Sequence, residues 1–307
     1  YVDTDNQSHW LFDSFLFLEI MDTGTGGANK MFAKGYNLGS ANQVDWTKLI
    51  DYYFQSETGI GALDASVKEA STILGTPRQK RQIVISIPEP IVYQHPEQAS
   101  SSTKYWGKID NQTLDFSNSA DRIKACKWYI DQVRAKFNEK NYQHVELAGF
   151  YWLAEKATDT RDILNAVANY LNKLKYSFNW IPYYGADGYN QWKSLGFNYA
   201  YFQPNYFFNE SVPDSRLEDA CQKALTYDMH MELEFDDNAL NSRGKAYRLK
   251  NYMSAFKKHG IWEKKRLAYY QGSASLLALK KSGNAADTQL YHEFCKFVIS
   301  RPIRSSH

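Results

Sequence analysis

The sequence predicts an α/β protein, a closed (β/α)8 barrel formed as a single domain, on three observations. Seven short runs rich in β-branched and aromatic residues recur along the chain, at 14–20, 82–87, 145–152, 178–183, 199–203, 230–235 and 266–271. Amphipathic helical stretches or turn signals separate them, and such alternation implies a parallel sheet with right-handed crossovers. No glycine-rich phosphate loop opens a helix after the first run, which counts against an open doubly wound sheet, the alternative architecture. The glycine-rich segment 23–27 reads as a loop, since no helical pattern starts straight after it.

The gap between Ile20 and Gln82 is long enough to hold an eighth strand, expected near 31–36. A helix follows a cap at Ser119, with Ile123, Cys126, Ile130, Val133 and Phe137 on one face. Ile163, Leu164, Val167, Leu171 and Leu174 repeat that spacing. Pro213 opens a third helix, where its missing N–H costs nothing, and Leu217, Ala220, Cys221, Ala224 and Leu225 follow. Residues 248–258 and 287–299 are further helices. Residues 1–13 form an N-terminal extension and 300–307 a tail. No internal repeat or low-complexity linker interrupts the chain.

The 307 residues are 43% hydrophobic and 23% charged, a globular composition. A net charge of +2 gives no electrostatic reason to expect nucleic acid or an anionic membrane as partner. No apolar run approaches the ~20 residues of a membrane span. Cys126, Cys221 and Cys295 are too few and too scattered for a disulfide framework or a zinc site, and read as buried thiols on helices. The chain starts at Tyr1 rather than Met, which is compatible with a removed signal peptide.

The unusual figure is 16% aromatic residues, from 23 Tyr, 17 Phe and 8 Trp. Tyr and Trp present a flat apolar face with a polar edge. That combination suits sugars, whose C–H groups stack while their hydroxyls hydrogen-bond; it also suits a large core with amphipathic rings at its margin.

A barrel of this kind carries its active site at the C-terminal ends of the strands. Those ends bring Glu19, Glu89, Trp152, Glu155, Tyr183, Tyr184, Gln203, Asn205, Tyr206, Glu234, Asp236, Asp237, Tyr270 and Gln271. Carboxylates, amides and aromatics dominate, where a phosphate site would show Lys, Arg and Gly. Along 230–236 the period of two puts His230, Glu232, Glu234 and Asp236 on one face and Met231, Leu233 and Phe235 on the other. Burying those acids is costly unless they are paired or hydrogen-bonded, so they mark function or a structural ion pair. Glu234, nearest the strand end, is the expected nucleophile or base. Glu155, three residues beyond Trp152, is the expected general acid; a surface Glu at a helix start is the competing reading. Glu19, Glu89, Trp152, Tyr183, Tyr184, Asn205, Tyr206, Glu232, Asp236 and Tyr270 are expected to bind substrate.

Glycoside cleavage requires such a pair, one carboxyl protonated and one ionised, with apolar surroundings raising the first and hydrogen bonds keeping the second charged. Glu234, Asp236 and Asp237 could instead hold a divalent cation, as in a metal-dependent lyase or deacetylase, although the segment lacks calcium-loop spacing. No His pair has zinc spacing and no Gly-x-Ser-x-Gly elbow occurs, so neither metal nor cofactor is expected. A barrel that binds glycans without cleaving them is the remaining alternative. Asn6, Asn111 and Asn209 begin glycosylation-type triplets.

Six segments occur together: Phe15-Leu16-Phe17-Leu18-Glu19, Ile87-Pro88-Glu89-Pro90, Gly149-Phe150-Tyr151-Trp152 with Glu155, Trp180-Ile181-Pro182-Tyr183-Tyr184, Gln203-Pro204-Asn205-Tyr206-Phe207-Phe208, and Glu232-Leu233-Glu234-Phe235-Asp236. The set, spread from about residue 14 to 297, resembles a bacterial family catalogued as domain of unknown function 4855, whose members look like secreted glycosidase-type barrels. The resemblance implies a barrel, a carbohydrate substrate and a place outside the bacterial cytoplasm. It supplies no substrate and no proven nucleophile. Counting 266–271 as strand eight, Glu155 and Glu234 follow strands four and seven, an arrangement similar to that of retaining barrel glycosidases.

Overall fold

The computed structural model describes residues 1–22, 30–35, 39–92 and 105–302, and these form two compact units. The larger comprises Asp13–Trp180 with Gln191–Asn198, and the smaller Tyr1–Phe12, Ile181–Asn190 and Tyr199–His307.

The larger unit runs β1 (Ser14–Phe17), α1 (Gln43–Tyr53), α2 (Ile60–Leu74), β2 (Arg81–Ile87), β3 (Tyr105–Ile109), β4 (Gln112–Asp115), α3 (Ser119–Lys140), β5 (Val145–Trp152), α4 (Arg161–Lys173) and β6 (Ser177–Trp180). Strands β1, β2, β5 and β6 pair in parallel in that order. The expected helix faces pack as the spacing predicts: Ile163, Leu164, Val167 and Leu171 of α4 are buried, as are Cys126, Ile130 and Val133 of α3. Asn118, not Ser119, caps α3, accepting the Ala120 N–H. Ser119 is instead the first helical residue, and its hydroxyl donates to Asp162 of α4. Arg122, buried on the same turn, donates to Asp162 at 2.6 Å and to the Asp159 carbonyl at 3.1 Å, fixing α3 against the start of α4.

Two features of this unit escape the period-two pattern. β3 and β4 form a hairpin turned at Asp110 and Asn111, with φ of 50° and 63°, the positive pair that two-residue hairpin loops require. The hairpin buries Trp106, which meets Trp46 of α1 edge-on at 5.0 Å and stacks on Phe116 at 5.5 Å. The second feature is a bulge where Ile83 faces Leu147 but Val84 faces Gly149, leaving Ala148 as the extra residue. The Ser177 hydroxyl donates to the Ala148 carbonyl at 3.1 Å. This close approach leaves no room for a side chain at 149, where a Cβ would lie 2.0 Å from Ser177 Oγ and 2.6 Å from the Ser177 carbonyl oxygen.

The smaller unit runs β7 (Tyr199–Phe202), α5 (Ser215–Thr226), β8 (His230–Glu234), α6 (Ala246–Lys258), α7 (Ile261–Lys264), β9 (Leu267–Tyr270), α8 (Ser275–Lys281) and α9 (Ala285–Ile299). Strands β7, β8 and β9 are parallel neighbours. Leu217, Ala220, Cys221 and Ala224 form the buried stripe of α5. Phe294 of α9 packs on Phe235 and Tyr269 at 5.2 and 5.6 Å, sealing β8 and β9 beneath it. Cys126, Cys221 and Cys295 are free, buried and helical.

The fold is therefore mixed α/β with seven parallel strands among the described residues, four in one unit and three in the other; these residues do not display the closed eight-stranded barrel expected from sequence. The expected eighth strand at 31–36 is the point of departure. Met31 forms single bridges to Met21 and Ser40, residues 32–34 bend, and Tyr36 lies outside the described residues, as does the glycine-rich segment 23–27. The backbone groups of this segment are satisfied by loops: Phe32 N–H donates to Ile20 and Phe32 C=O accepts from Glu89. A chain so engaged has no need of a ladder.

Replacing Gly149 by Ala should destabilise the protein by at least the ~1–3 kcal/mol of an overpacked core. Chemical denaturation followed by tryptophan fluorescence checks this, because Trp152 and Trp180 are register partners three residues along. An unchanged midpoint would show that Ser177 moves aside freely.

Candidate functional site

In the smaller unit the residues converge on Glu234, the last residue of β8 and 1% exposed. Gln203 Nε2 donates to its Oε1 at 3.0 Å, and the Asn205 N–H donates to Oε2 at 2.8 Å. The Tyr252 hydroxyl, from α6, donates to Oε2 at 2.5 Å. Asn205 can aim its N–H this way because it adopts a left-handed φ of 55°, which Asn tolerates better than most residues. Burial pushes the Glu234 carboxyl above the ordinary range, against the opposing pull of Tyr252, Gln203 and the backbone of Asn205 and Tyr206. Burial likewise holds the Tyr252 proton in place, reinforced by the charges of Glu234 and Glu232.

Sequence reasoning missed Tyr252 and Arg248, which share the buried face of α6 one turn apart. The buried Arg248 guanidinium donates to the carbonyls of Tyr206, Asn209 and Val212 and lies 3.7 Å over the Tyr206 ring. It thereby fixes the loop that carries the Asn205 N–H to Glu234. The available signal was a polar-tipped pair at i and i+4 on an otherwise apolar helix face.

Several residues expected to bind substrate have other partners here. Asn205 acts through its backbone, with its side chain exposed. Tyr206 is buried and donates to Asp214. The Tyr184 ring lies under Arg216 at 3.9 Å, and its hydroxyl donates to Asp219. Asp236 accepts the Asn238 N–H at 2.8 Å and so caps the turn after β8. Tyr183 is half-buried and bridges to Gln203. Glu232 is buried on the same strand as Glu234. Tyr270 alone of these rings is well exposed, at 45%, and is the register partner of Glu234.

In the larger unit Glu89 follows β2 and is 6% exposed. Its Oε2 accepts the Lys34 N–H at 2.7 Å, while Lys34 Nζ pairs with Asp159 at 3.1 Å. Burial raises the Glu89 carboxyl to about 7. Glu155, by contrast, is exposed. The reason lies in its loop: the Trp180 indole donates to the Ala154 carbonyl at 2.8 Å, and the buried Trp152 indole donates to Thr160 at 3.3 Å. Trp152 is thus packed in the core and leaves Glu155 exposed. Glu19, after β1, is half-buried and hydrogen-bonded by Tyr52. Among the described residues no cluster of three or more His, Cys, Asp or Glu is arranged to hold a metal ion, and no helix is long and apolar enough to cross a membrane.

Glu89 makes stability pH-dependent in a defined sense. Below about pH 4.5 its carboxyl is neutral in both the folded and unfolded states; between there and about pH 7 only the folded state keeps the proton, so stability falls as pH rises. Melting experiments on Glu89→Gln and the unmodified protein from pH 4 to 8 should show the variant gaining, relative to its parent, on the order of 3 kcal/mol at 1.36 kcal/mol per unit. A pH-independent difference would mean that Glu89 titrates normally.

Comparison with known proteins adds one family. No curated protein matches the chain. A structure from Bacteroides thetaiotaomicron VPI-5482, described as a "putative alpha-L-fucosidase", is similar at 14% identity and a TM-score of 0.47, over 94% of this chain and 82% of that one. The family model for the domain of unknown function (DUF4855) matches residues 1–296, and the chain belongs to that family.

Proposed function

We propose that the protein is a glycoside hydrolase acting on an oligo- or polysaccharide, with Glu234 as nucleophile or base and Glu155 as general acid. The observation that carries the reading is the setting of Glu234. A carboxyl at a strand end, withdrawn from water, is supplied with an amide, a backbone N–H and a phenol, three donors that favour its anion against the burial that raises it. Tyr270, Glu232 and Tyr183, of the same unit, would contact substrate around it. Retention of anomeric configuration and a place outside the bacterial cytoplasm, where polysaccharides are met, belong to the same reading.

The exposure of Glu155 bears on the acid role. Glu155 is exposed, whereas Glu89 is buried and that burial raises its carboxyl to about 7. Glu89 is therefore the second choice for proton donor. The same exposure favours a second reading, a glycan-binding protein that does not cleave.

A polysaccharide panel with reducing-end detection separates the two: new reducing ends support hydrolysis, while binding without them supports the second reading. On a cleaved substrate Glu234→Gln should lower turnover by ~10²–10⁴-fold with folding retained. Glu155→Gln should harm natural glycans far more than activated aryl glycosides, which scarcely need protonation. If Glu155→Gln is silent and Glu89→Gln is not, the acid is Glu89.

Tyr252→Phe removes a donor that favours the Glu234 anion, so the carboxyl should rise further. The acidic limb of the pH–rate profile should then move to higher pH, with a smaller loss of turnover above that limb. A uniform loss at every pH would give Tyr252 a purely structural part.

A further inference from the structure

A cleft of about 160 Å³ opens in the larger unit where β1 ends, between Leu16, Leu18, Glu19, Tyr52, Tyr53 and Thr58. We propose that this cleft binds one neutral pyranose ring, with Glu19 accepting a pair of its hydroxyls. The proposal rests on the glycosidase reading, which it deepens by assigning a sugar subsite.

Four features support it. The cleft, at about 160 Å³ and open to solvent, has room for one sugar ring. Glu19 is half-buried, and Tyr52 is its hydrogen-bonding side-chain neighbour, so a fixed acceptor faces the cleft. Behind it, Tyr53 is buried with its hydroxyl 3.0 Å from Ser86 Oγ, which gives the wall a rigid polar anchor. The lining contains no Lys or Arg, so it offers an anionic ligand no partner.

Two classes remain, neutral polyols and cations. Glu19 is half-buried, so the site lies partly withdrawn from bulk water. An ammonium entering beside it would lose hydration as well, a cost that neutral hydroxyls largely avoid. Glu19 is legible in the sequence as a carboxylate after the first strand, whereas Tyr52, on α1, is brought to it only by the fold.

The test is saturation-transfer NMR on the full chain with glucose, galactose, mannose, xylose and glucosamine, each as the free monosaccharide. At least one neutral sugar should bind, and Glu19→Gln should weaken it by at least about tenfold, the range expected when a hydrogen bond to a charged group is lost. Thr58→Trp, which fills the cleft and leaves Glu19 intact, should abolish it. This second variant keeps the test decisive if Glu19→Gln fails to fold. Binding of glucosamine alone, binding indifferent to both variants, or no binding at all overturns the proposal. The hydrolase reading is scored separately. Glu234→Gln should bind the monosaccharide as its parent does. Polysaccharide cleavage without Glu19-dependent monosaccharide binding removes the cleft and leaves the hydrolase. The converse result removes the hydrolase and leaves a binding site.

Discussion

The smaller unit is organised around the cost of keeping one carboxyl out of water. A carboxylate in an apolar interior is sustained only by donors aimed at it, and Glu234 obtains them from Gln203 and Asn205, just after β7, and from Tyr252 of α6. Each donor has its own support. The backbone of Asn205 takes a left-handed turn, and Arg248 secures the loop beyond it by binding three carbonyls. Removing any member exposes the next to the same penalty, so helix, loop and strand end are coupled through one acid. Asp236 and Ser275 extend the arrangement outward, through a cap on the following turn and a hydrogen bond to Asp237.

The larger unit depends on close approach rather than on charge. Ala148 bulges from β5, its carbonyl is met by Ser177, and the neighbouring position admits only glycine. The bulge shifts β5 by one residue against β2, so Phe150 faces Ile85 and Trp152 faces Ile87. Trp152 thus ends at the core side of the following loop, where its indole reaches Thr160. The exposure of Glu155 follows from that packing.

The aromatic excess divides along the same lines. Trp46, Trp106, Trp152, Trp180, Tyr129, Tyr206 and Tyr252 are fully buried: Trp46 meets Trp106 and Tyr129 edge-on, Tyr206 meets Tyr252 edge-on, and Trp152 and Trp180 pack on Phe178 and Phe197, which accounts for much of the Tyr and Trp content without any ligand. Tyr270 and Tyr247 are exposed. Composition cannot divide the two groups, because a ring that stacks on a sugar and a ring that stacks on another ring have the same formula.

The sequence by itself determined the seven parallel strands, the helices α3, α4, α5, α6 and α9, and the acid at the end of β8. Period-two and period-3.6 patterns are local consequences of burying one face, and Glu234 stands where an apolar strand face forces its neighbours inward. It could not determine the partners. Tyr252 and Arg248 reach Glu234 and its loop from a helix that follows by more than ten residues, and the segment at 31–36 spends its backbone groups on loops instead of a ladder. Exposure of Glu155, burial of Glu89 and the close approach at Gly149 are likewise tertiary outcomes. Each depends on which distant group fills the space beside it, and that is settled by packing and by the rule that every buried polar group must find a partner.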